Sequence, residues 1–190
     1  MSDYNDRHLL EFVNTWPEFA DAFLHLSAVV FGSEELSFQL RFEVFTVSSL
    51  SAGCRHCQAH GAYALHLGGS DTERIQALWE FETSELFDEA ERTALRFAAA
   101  AGSVPNAVTA EHHAALREHF TDRQITELVC VISVAGFLNR YNDTLATVTD
   151  QDSVDWAATN LGTLGWEVGK HAGASEEQQP LHPLKLGMGG

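Results

Sequence analysis

Apolar residues recur every three or four positions through most of the chain, which is the spacing of a helix that buries one face. The first clear helix opens at Thr15 to Glu18, a capping-box sequence with proline in its first turn, and stops at Gly32. Another carries Ile75, Leu78 and Trp79 at helical spacing. No dipeptide typical of a tight hairpin lies between alternating segments. The pattern predicts an all-α fold, built as a helical bundle.

The segment from Leu36 to Val44 departs from this pattern, because apolar and polar residues alternate along it as in a half-buried strand. A lone strand would leave its backbone N–H and C=O groups without partners, and no second strand is evident in the sequence. Read as a helix, the segment carries one stripe that includes Leu36 and Leu40 and a second that includes Phe38 and Phe42. We therefore predict a helix that is buried on two sides.

The 190 residues fit one sizeable core and are few for two domains. We expect one helical domain over residues 1–170 and a flexible tail over residues 171–190, which have the composition of a loop. Near the end of the domain, Trp156 and Trp166 are expected to dock on its body or on a neighbouring subunit. The segment "FEVFTVSSLSAG" also echoes "TELVCVISVAGF", which is consistent with a duplicated helical unit.

Composition excludes some classes of partner. With 11 basic against 27 acidic residues, the formal charge of −16 disfavours nucleic acid and anionic membrane surfaces. The first residues lack the basic and apolar regions of a signal peptide, and no uncharged apolar stretch reaches the roughly 18 residues of a spanning helix. Three cysteines are too few for a disulfide scaffold. We expect a cytoplasmic protein with reduced thiols.

The candidate chemistry lies in "GCRHCQAHG", residues 53–61. If a helix begins at Arg55, Cys54 lies at its start, Cys57 and His60 follow at one-turn steps, and His56 stands one turn before His60. A helix start favours thiolate and can bring a cysteine pKa from about 8.5 down to roughly 3.5–7.5. A second thiol one turn away can convert a sulfenic acid into a disulfide, while a histidine oriented by a carboxylate moves the proton. The motif predicts a dithiol that reacts with peroxide or disulfide.

Other interpretations of the motif stay open at this point. Cys54, Cys57 and His60 could supply three ligands to zinc in a zinc-stabilised binding module. A structural zinc site normally has four ligands, and the local sequence lacks a fourth, so we expect no stoichiometric zinc and no cofactor. The chain could also be a non-catalytic oligomeric helical protein with a vestigial motif. Cys130, inside "ELVCVISV", is interpreted as a core residue.

Three segments, residues 51–68, 86–109 and 116–146, resemble the carboxymuconolactone decarboxylase / alkylhydroperoxidase D (AhpD)-like family, in particular its peroxidase-related members. The resemblance spans roughly Trp16 to Thr147. It implies an all-α homo-oligomer (a dimer, trimer or hexamer) that reduces hydroperoxides and is recycled by a dithiol reductant or a lipoylated carrier protein. Lactone decarboxylase activity is not favoured, since that branch does not need the CxxC motif.

The resemblance also implies roles for the two thiols. In the alkylhydroperoxidase branch the second cysteine becomes the sulfenic acid and the first is the proton donor and resolving thiol, which here are Cys57 and Cys54. His56 matches a histidine that some members hold between the cysteines. The position of Cys54 at the helix start by itself favours Cys54 as the nucleophile. We follow the resemblance here and expect Cys57 to be the thiol that peroxide oxidises.

Two positions depart from the family pattern. The family's catalytic histidine lies four residues after the second cysteine, where this chain has Gly61, and the histidine is His60 instead. The family's glutamate lies twelve residues before the first cysteine, where this chain has Phe42, and the glutamate is Glu43. A shift of one residue in the bend before Cys54 would let Glu43 hold His60 or His56, and we therefore include Glu43 among the candidate catalytic residues.

Overall fold

The computed structural model describes residues 7–173, and within that range the chain forms nine α-helices and no strand. In chain order they are α1 (Leu9–Val13), α2 (Pro17–Phe31), α3 (Phe38–Ala52), α4 (Arg55–Leu67), α5 (Thr72–Ala77), α6 (Glu89–Gly102), α7 (Ala110–His119), α8 (Asp122–Leu145) and α9 (Gln151–Leu161). Short 3₁₀ turns lie at Leu78–Glu80, Gly162–Leu164 and Gly169–His171. None of the described helices is long and apolar enough to cross a membrane. The predicted all-α fold is confirmed.

Side-chain capping hydrogen bonds start α3, α6 and α8. At α8, the hydroxyl of Thr121 accepts a hydrogen bond from the N–H of Gln124 at 3.3 Å, and the side chain of Gln124 accepts one from the N–H of Thr121 at 3.0 Å. The capping box predicted at Thr15 is wrong, because the Thr15 hydroxyl donates to the carbonyl of Phe12. Helix α2 instead follows Trp16 and begins with proline, whose fixed backbone angle suits a first helical turn.

Helix α3 lies at the centre of the bundle and packs against α4, α6 and α8. It begins after Ser37, whose hydroxyl accepts a hydrogen bond from the N–H of Leu40 at 3.1 Å. Every residue from Leu40 to Ser49 is buried, so the helix has no solvent-facing side over that stretch. Burial on all sides removes the one-sided pattern that normally marks a helix. Three polar residues of the alternating stretch have partners of their own, since Ser37 caps the helix and Arg41 and Glu43 form ion pairs. The predicted helix is confirmed.

The chain after α9 folds back onto α4. The indole N–H of Trp166 donates to the carbonyl of Arg55 at 3.1 Å, and the ring of Trp156 stacks on His66 with 5.3 Å between ring centroids. Both tryptophans therefore dock on the body of the domain, as predicted. The tail was predicted to begin at residue 171, but His171 is buried and its ring hydrogen-bonds the carbonyl of Thr147 at 2.8 Å. Residues 174–190 lie outside the described part of the chain.

Candidate active site

The junction between α3 and α4 sets the position of the dithiol. Gly53 ends α3 with φ of +76°, a left-handed conformation that glycine adopts without strain. The chain then turns at once into α4, for which Cys54 is the N-cap residue. Helix α4 runs from Arg55 to Leu67, as predicted. The two thiols and the first histidine therefore sit in its first turn, against α3.

Close packing between α4 and α3 explains why the histidine stands at position 60. A side chain added at Gly61 would clash with the hydroxyl of Thr46 and the ring of Phe45. A histidine at position 61, where the resembling family has one, would therefore require the side chains of Thr46 and Phe45 to shift. His60, one residue earlier, points instead toward the segment that precedes α9.

The two cysteine thiols are buried and differ in their ease of ionisation. Cys54 and Cys57 are 1% and 2% exposed. The Cys57 thiol and the backbone N–H groups of Cys57 and His56 all donate hydrogen bonds to the Cys54 sulfur. These bonds lower the pKa of Cys54, although burial alone would raise it. Burial raises the pKa of Cys57 well above its usual range, and the neighbouring Cys54 raises it further. The amide of Asn142 donates to Cys57 Sγ at 3.6 Å and offsets only part of this rise in the pKa of Cys57. Cys54 is therefore the thiol that ionises first.

His60 is held by acceptors at both ring nitrogens. Its Nδ1 lies 2.9 Å from the carbonyl oxygen of His56, and its Nε2 lies 3.0 Å from Oδ2 of Asp150. His8 Nδ1 lies 3.0 Å from the other carboxylate oxygen. Although burial raises it, hydrogen bonds from His60 and His8 bring the pKa of Asp150 below its usual range. Asp150 is thus the ionised carboxylate that orients His60.

Burial disfavours the charged form of His56. Its Nδ1 lies 3.1 Å from the hydroxyl of Thr149, and its ring lies 4.3 Å from that of His60 and 5.5 Å from that of His171, between centroids. Burial lowers its pKa well below the usual range, and the neighbouring histidines His60 and His171 lower it further. The charged form of His56 is therefore disfavoured although an ionised carboxylate, Asp150, lies one helical turn away at His60.

Comparisons with known proteins found similarity at the level of structure. No model of a protein family matches the sequence, and no curated protein matches it. The debrominase Bmp8 is 28% identical over 74% of this chain and 76% of its own, with a TM-score of 0.72. A Cys→Ala variant of Bmp8, in complex with 2,3,4-tribromopyrrole, is 26% identical over 76% of this chain and 79% of its own, with a TM-score of 0.72.

Two further structures carry the fold of the resembling family. An Agrobacterium tumefaciens protein, proposed to be the antioxidant defence protein AhpD, is 20% identical over 73% of this chain and 94% of its own, with a TM-score of 0.68. A peroxidase-related protein from Ralstonia eutropha with an alkylhydroperoxidase AhpD core is 18% identical over 75% of this chain and 76% of its own, with a TM-score of 0.67. The protein has the AhpD-like fold.

In this AhpD-like fold Glu43 does not reach the histidines. Its two carboxylate oxygens lie 2.7 and 3.2 Å from the guanidinium of Arg74, and Gln39 donates to it at 3.1 Å. Arg74 also binds Glu91 at 2.8 Å. The predicted contact between Glu43 and His60 is therefore not made. Burial raises the pKa of Glu43, and the Arg74 ion pair offsets only part of that rise.

The sequence similarity between α3 and α8 indicates a structural role for Glu43. Aligning the two echoing segments pairs Glu43 with Glu127. Glu127 is also buried, and it lies 3.4 Å from the guanidinium of Arg41. Each of the two segments thus carries one buried glutamate paired with one arginine. The aromatic ring of Phe42, at the family's glutamate position, packs with Phe31, Phe38 and Phe45.

Sequence reasoning missed the residues that complete the site from distant parts of the chain. Asn142 and Asp143 come from the last turn of α8, Asp150 precedes α9, and His171 lies in the final 3₁₀ turn. Cys54 Sγ, a carboxylate oxygen of Asp143 and a ring nitrogen of His171 lie within 4.8 Å of one another. A signal was present in "NRYND", where polar residues cluster at the end of a largely apolar helix. The position of His171 in a glycine-rich segment gave no such signal.

Proposed function

We propose that the protein is a thiol-dependent peroxidase that reduces hydroperoxides through a dithiol/disulfide cycle of Cys54 and Cys57. The observation that carries the proposal is the pairing of two buried thiols at the start of α4, with the thiol of Cys57 and two backbone N–H groups directed at Cys54. A sulfur whose pKa is lowered and that has a second thiol beside it suits peroxide reduction followed by rapid disulfide closure. The AhpD-like fold supports the same class of reaction.

In the first step, the thiolate of Cys54 attacks an oxygen of the hydroperoxide. An S–O bond forms, the O–O bond breaks, and the departing alkoxide takes a proton to leave as an alcohol. His60 is the proposed proton donor, because its Asp150 partner stabilises the charged imidazolium. This assignment makes Cys54 the sulfenic acid, which is the reverse of the order that the family resemblance implies. We prefer Cys54 because the surrounding donors stabilise its thiolate and burial disfavours that of Cys57.

In the second step, the thiol of Cys57 attacks the sulfur of the sulfenic acid. An S–S bond forms, the S–O bond breaks, and the hydroxyl leaves as water with the proton of Cys57. Burial of Cys57 next to Cys54 keeps this step intramolecular and limits further oxidation. A dithiol reductant or a lipoylated carrier protein then supplies two electrons and two protons, and it leaves as a disulfide itself.

A second candidate is reductive dehalogenation, which is favoured by the similarity to the debrominase Bmp8. The thiolate of Cys54 would attack the bromine of a bromoarene, forming an S–Br bond while the ring carbon takes the bonding pair and then a proton. Cys57 would displace bromide and form the same disulfide. The two candidates therefore share the dithiol cycle and differ in the leaving group. Bromide release is the product that separates them.

The experiment compares three substrates under single turnover. Reduced wild-type protein is mixed with hydrogen peroxide, with cumene hydroperoxide or with 2,3,4-tribromopyrrole, and consumption of substrate is followed together with disulfide formation. The proposal expects peroxide consumption that Cys54→Ser abolishes and Cys130→Ser leaves unchanged. Bromide release without peroxide consumption would replace the proposal with the second candidate. No reaction with any substrate would favour the vestigial-motif interpretation.

A further inference from the structure

Three side chains from distant segments converge beside the dithiol. They are Cys54 at the start of α4, Asp143 in the last turn of α8 and His171 in the final 3₁₀ turn. One sulfur, one oxygen and one nitrogen atom from these residues lie within 4.8 Å of one another. The proposed peroxidase cycle uses only the first of them. The chemistry of the other two is unassigned.

His171 presents a bare ring nitrogen to this cluster. Its Nδ1 lies 2.8 Å from the carbonyl oxygen of Thr147, which can only accept, so Nδ1 carries the hydrogen and Nε2 carries the lone pair of the neutral ring. Within the described residues Nε2 is buried and makes no hydrogen bond, and it lies 3.6 Å from Oδ1 of Asp143. A buried polar atom without a partner is costly and calls for a ligand.

The same arrangement is typical of histidines that bind metal. Metal-ligating histidines usually donate their second ring N–H to a backbone carbonyl or a carboxylate, which fixes the tautomer and the ring orientation. His171 is 1% exposed and is held in this way by Thr147 before any metal arrives. The site is therefore partly preorganised.

The donor atoms match the preference of zinc. Zinc binds thiolate sulfur at about 2.3 Å, histidine nitrogen at about 2.0–2.1 Å and carboxylate oxygen at about 2.0–2.2 Å, with a fourth position often left to water. Cys54 and His171 are fixed by burial, whereas the side chain of Asp143 is 47% exposed and pairs with the exposed Lys170 at 2.9 Å. Asp143 is thus the ligand that can swing inward and shorten the separations.

We propose that Cys54, Asp143 and His171 form a zinc-binding site that holds the Cys54 sulfur and thereby blocks the dithiol. This set differs from Cys54, Cys57 and His60, the local set weighed from the sequence, because two of its members come from outside the motif. It replaces the expectation of no stoichiometric zinc, which considered only ligands in the local sequence. Metal binding stands on the cluster alone. The blocking of peroxide reduction rests in addition on the proposed function.

The test measures zinc binding without any peroxide. Reduced, chelator-treated protein is titrated with zinc against a chromophoric chelator, and with cobalt to detect thiolate-to-metal charge-transfer absorption. We expect about one metal per chain, with sulfur ligation in the cobalt form. Asp143→Asn and His171→Gln should each weaken binding at least about tenfold. His25→Ala, which alters an exposed histidine on α2, should bind like wild type.

Two further measurements keep the result interpretable. Zinc should slow alkylation of Cys54 in wild type and in His25→Ala but not in Asp143→Asn, a partly exposed position where the exchange leaves the fold intact. Binding that survives both Asp143→Asn and His171→Gln but is lost in His60→Ala would overturn the proposal in favour of the local set. Absence of zinc binding in wild type would also overturn it. Neither result bears on peroxide consumption by the metal-free protein, so the two proposals fail separately.

Discussion

Replacing Asp150 by asparagine tests the proton-transfer role given to His60. The carboxylate lies 3.0 Å from His60 Nε2, and the carbonyl of His56 holds Nδ1 at 2.9 Å, so the ring is fixed at both ends and an imidazolium formed there would face a negative charge. Asparagine keeps the size and one acceptor oxygen but removes the charge. The imidazolium then loses its stabilising partner, and His60 becomes a poorer proton donor at neutral pH.

The size of the effect follows from the proton transfer that is lost. General acid–base assistance contributes roughly 10²–10⁴-fold to a rate, and Asp150→Asn removes the charge that supports it but leaves the histidine in place. We expect the rate of peroxide reaction at pH 7 to fall by about 10–10²-fold. The rate of the His60→Ala variant should fall by at least as much. Because both changes act on one pair, the double variant should lose little more than His60→Ala alone.

The assay is stopped-flow reduction of hydrogen peroxide between pH 5 and pH 9 (about the range in which histidine and thiol titrate). The pKa of Asp150 is depressed, so its contribution to stability is present above its unfolded value of about 3.9 and is lost as pH falls through the lower folded value. The loss of this contribution therefore lies below the assay range. Asp155→Asn is the matched control, since Asp155 is an exposed carboxylate on α9 that contacts Gln151. A wild-type rate in folded Asp150→Asn would refute the proton-transfer role.

Three other predictions address stability, ionisation and assembly. Glu43→Gln should leave the peroxide rate of the folded protein unchanged and lower the free energy of unfolding by about 1–3 kcal/mol, because Arg74 loses a buried partner. A melting temperature lower by about 2–12 °C would support this prediction, whereas a tenfold slower peroxide rate would show that Glu43 belongs to the active site. The pH at which alkylation reaches half its maximal rate should lie below the ordinary thiol pKa of about 8.5 for Cys54 and above it for Cys57. Mass spectrometry of peptides alkylated across a range of pH measures both values, and the reverse order would contradict the choice of Cys54 as the nucleophile. Light scattering should give the mass of a dimer, trimer or hexamer, as the family resemblance implies, whereas a monomer would contradict that expectation.

Much of the fold was predictable because local signals set it. Glycine, proline and capping residues mark helix ends, so α4 and the end of α2 were predicted at their observed positions. Helix α3 needed a different argument, since its local pattern is that of a strand. The requirement that every buried backbone group find a partner gave the correct answer there.

The candidate site was predictable only where its residues are close in sequence. Cys54, Cys57, His56 and His60 all lie within two turns of one helix, and helical spacing brings them together. Asp150 and His171 join them from more than 85 residues away, through packing of the segments after α8. No local pattern encodes such contacts.

The misplacement of Glu43 has a geometric cause. Successive residues on an α-helix point about 100° apart, because a turn holds about 3.6 residues. Glu43 therefore faces Arg74 on α5, while Phe42 occupies the direction of the family's glutamate. Only a one-residue shift of register between α3 and α4 would have brought Glu43 to the histidines, and the bend before Cys54 contains no such shift.

The central claim is that Cys54 and Cys57 form a reversible disulfide when peroxide is reduced. The direct measurement is the intact mass of the reduced protein before and after about one equivalent of hydrogen peroxide, followed by peptide mapping. The account predicts loss of two hydrogens, a bond between Cys54 and Cys57, and a free thiol at Cys130. A bond that contains Cys130, or added oxygen with no disulfide at all, would contradict it.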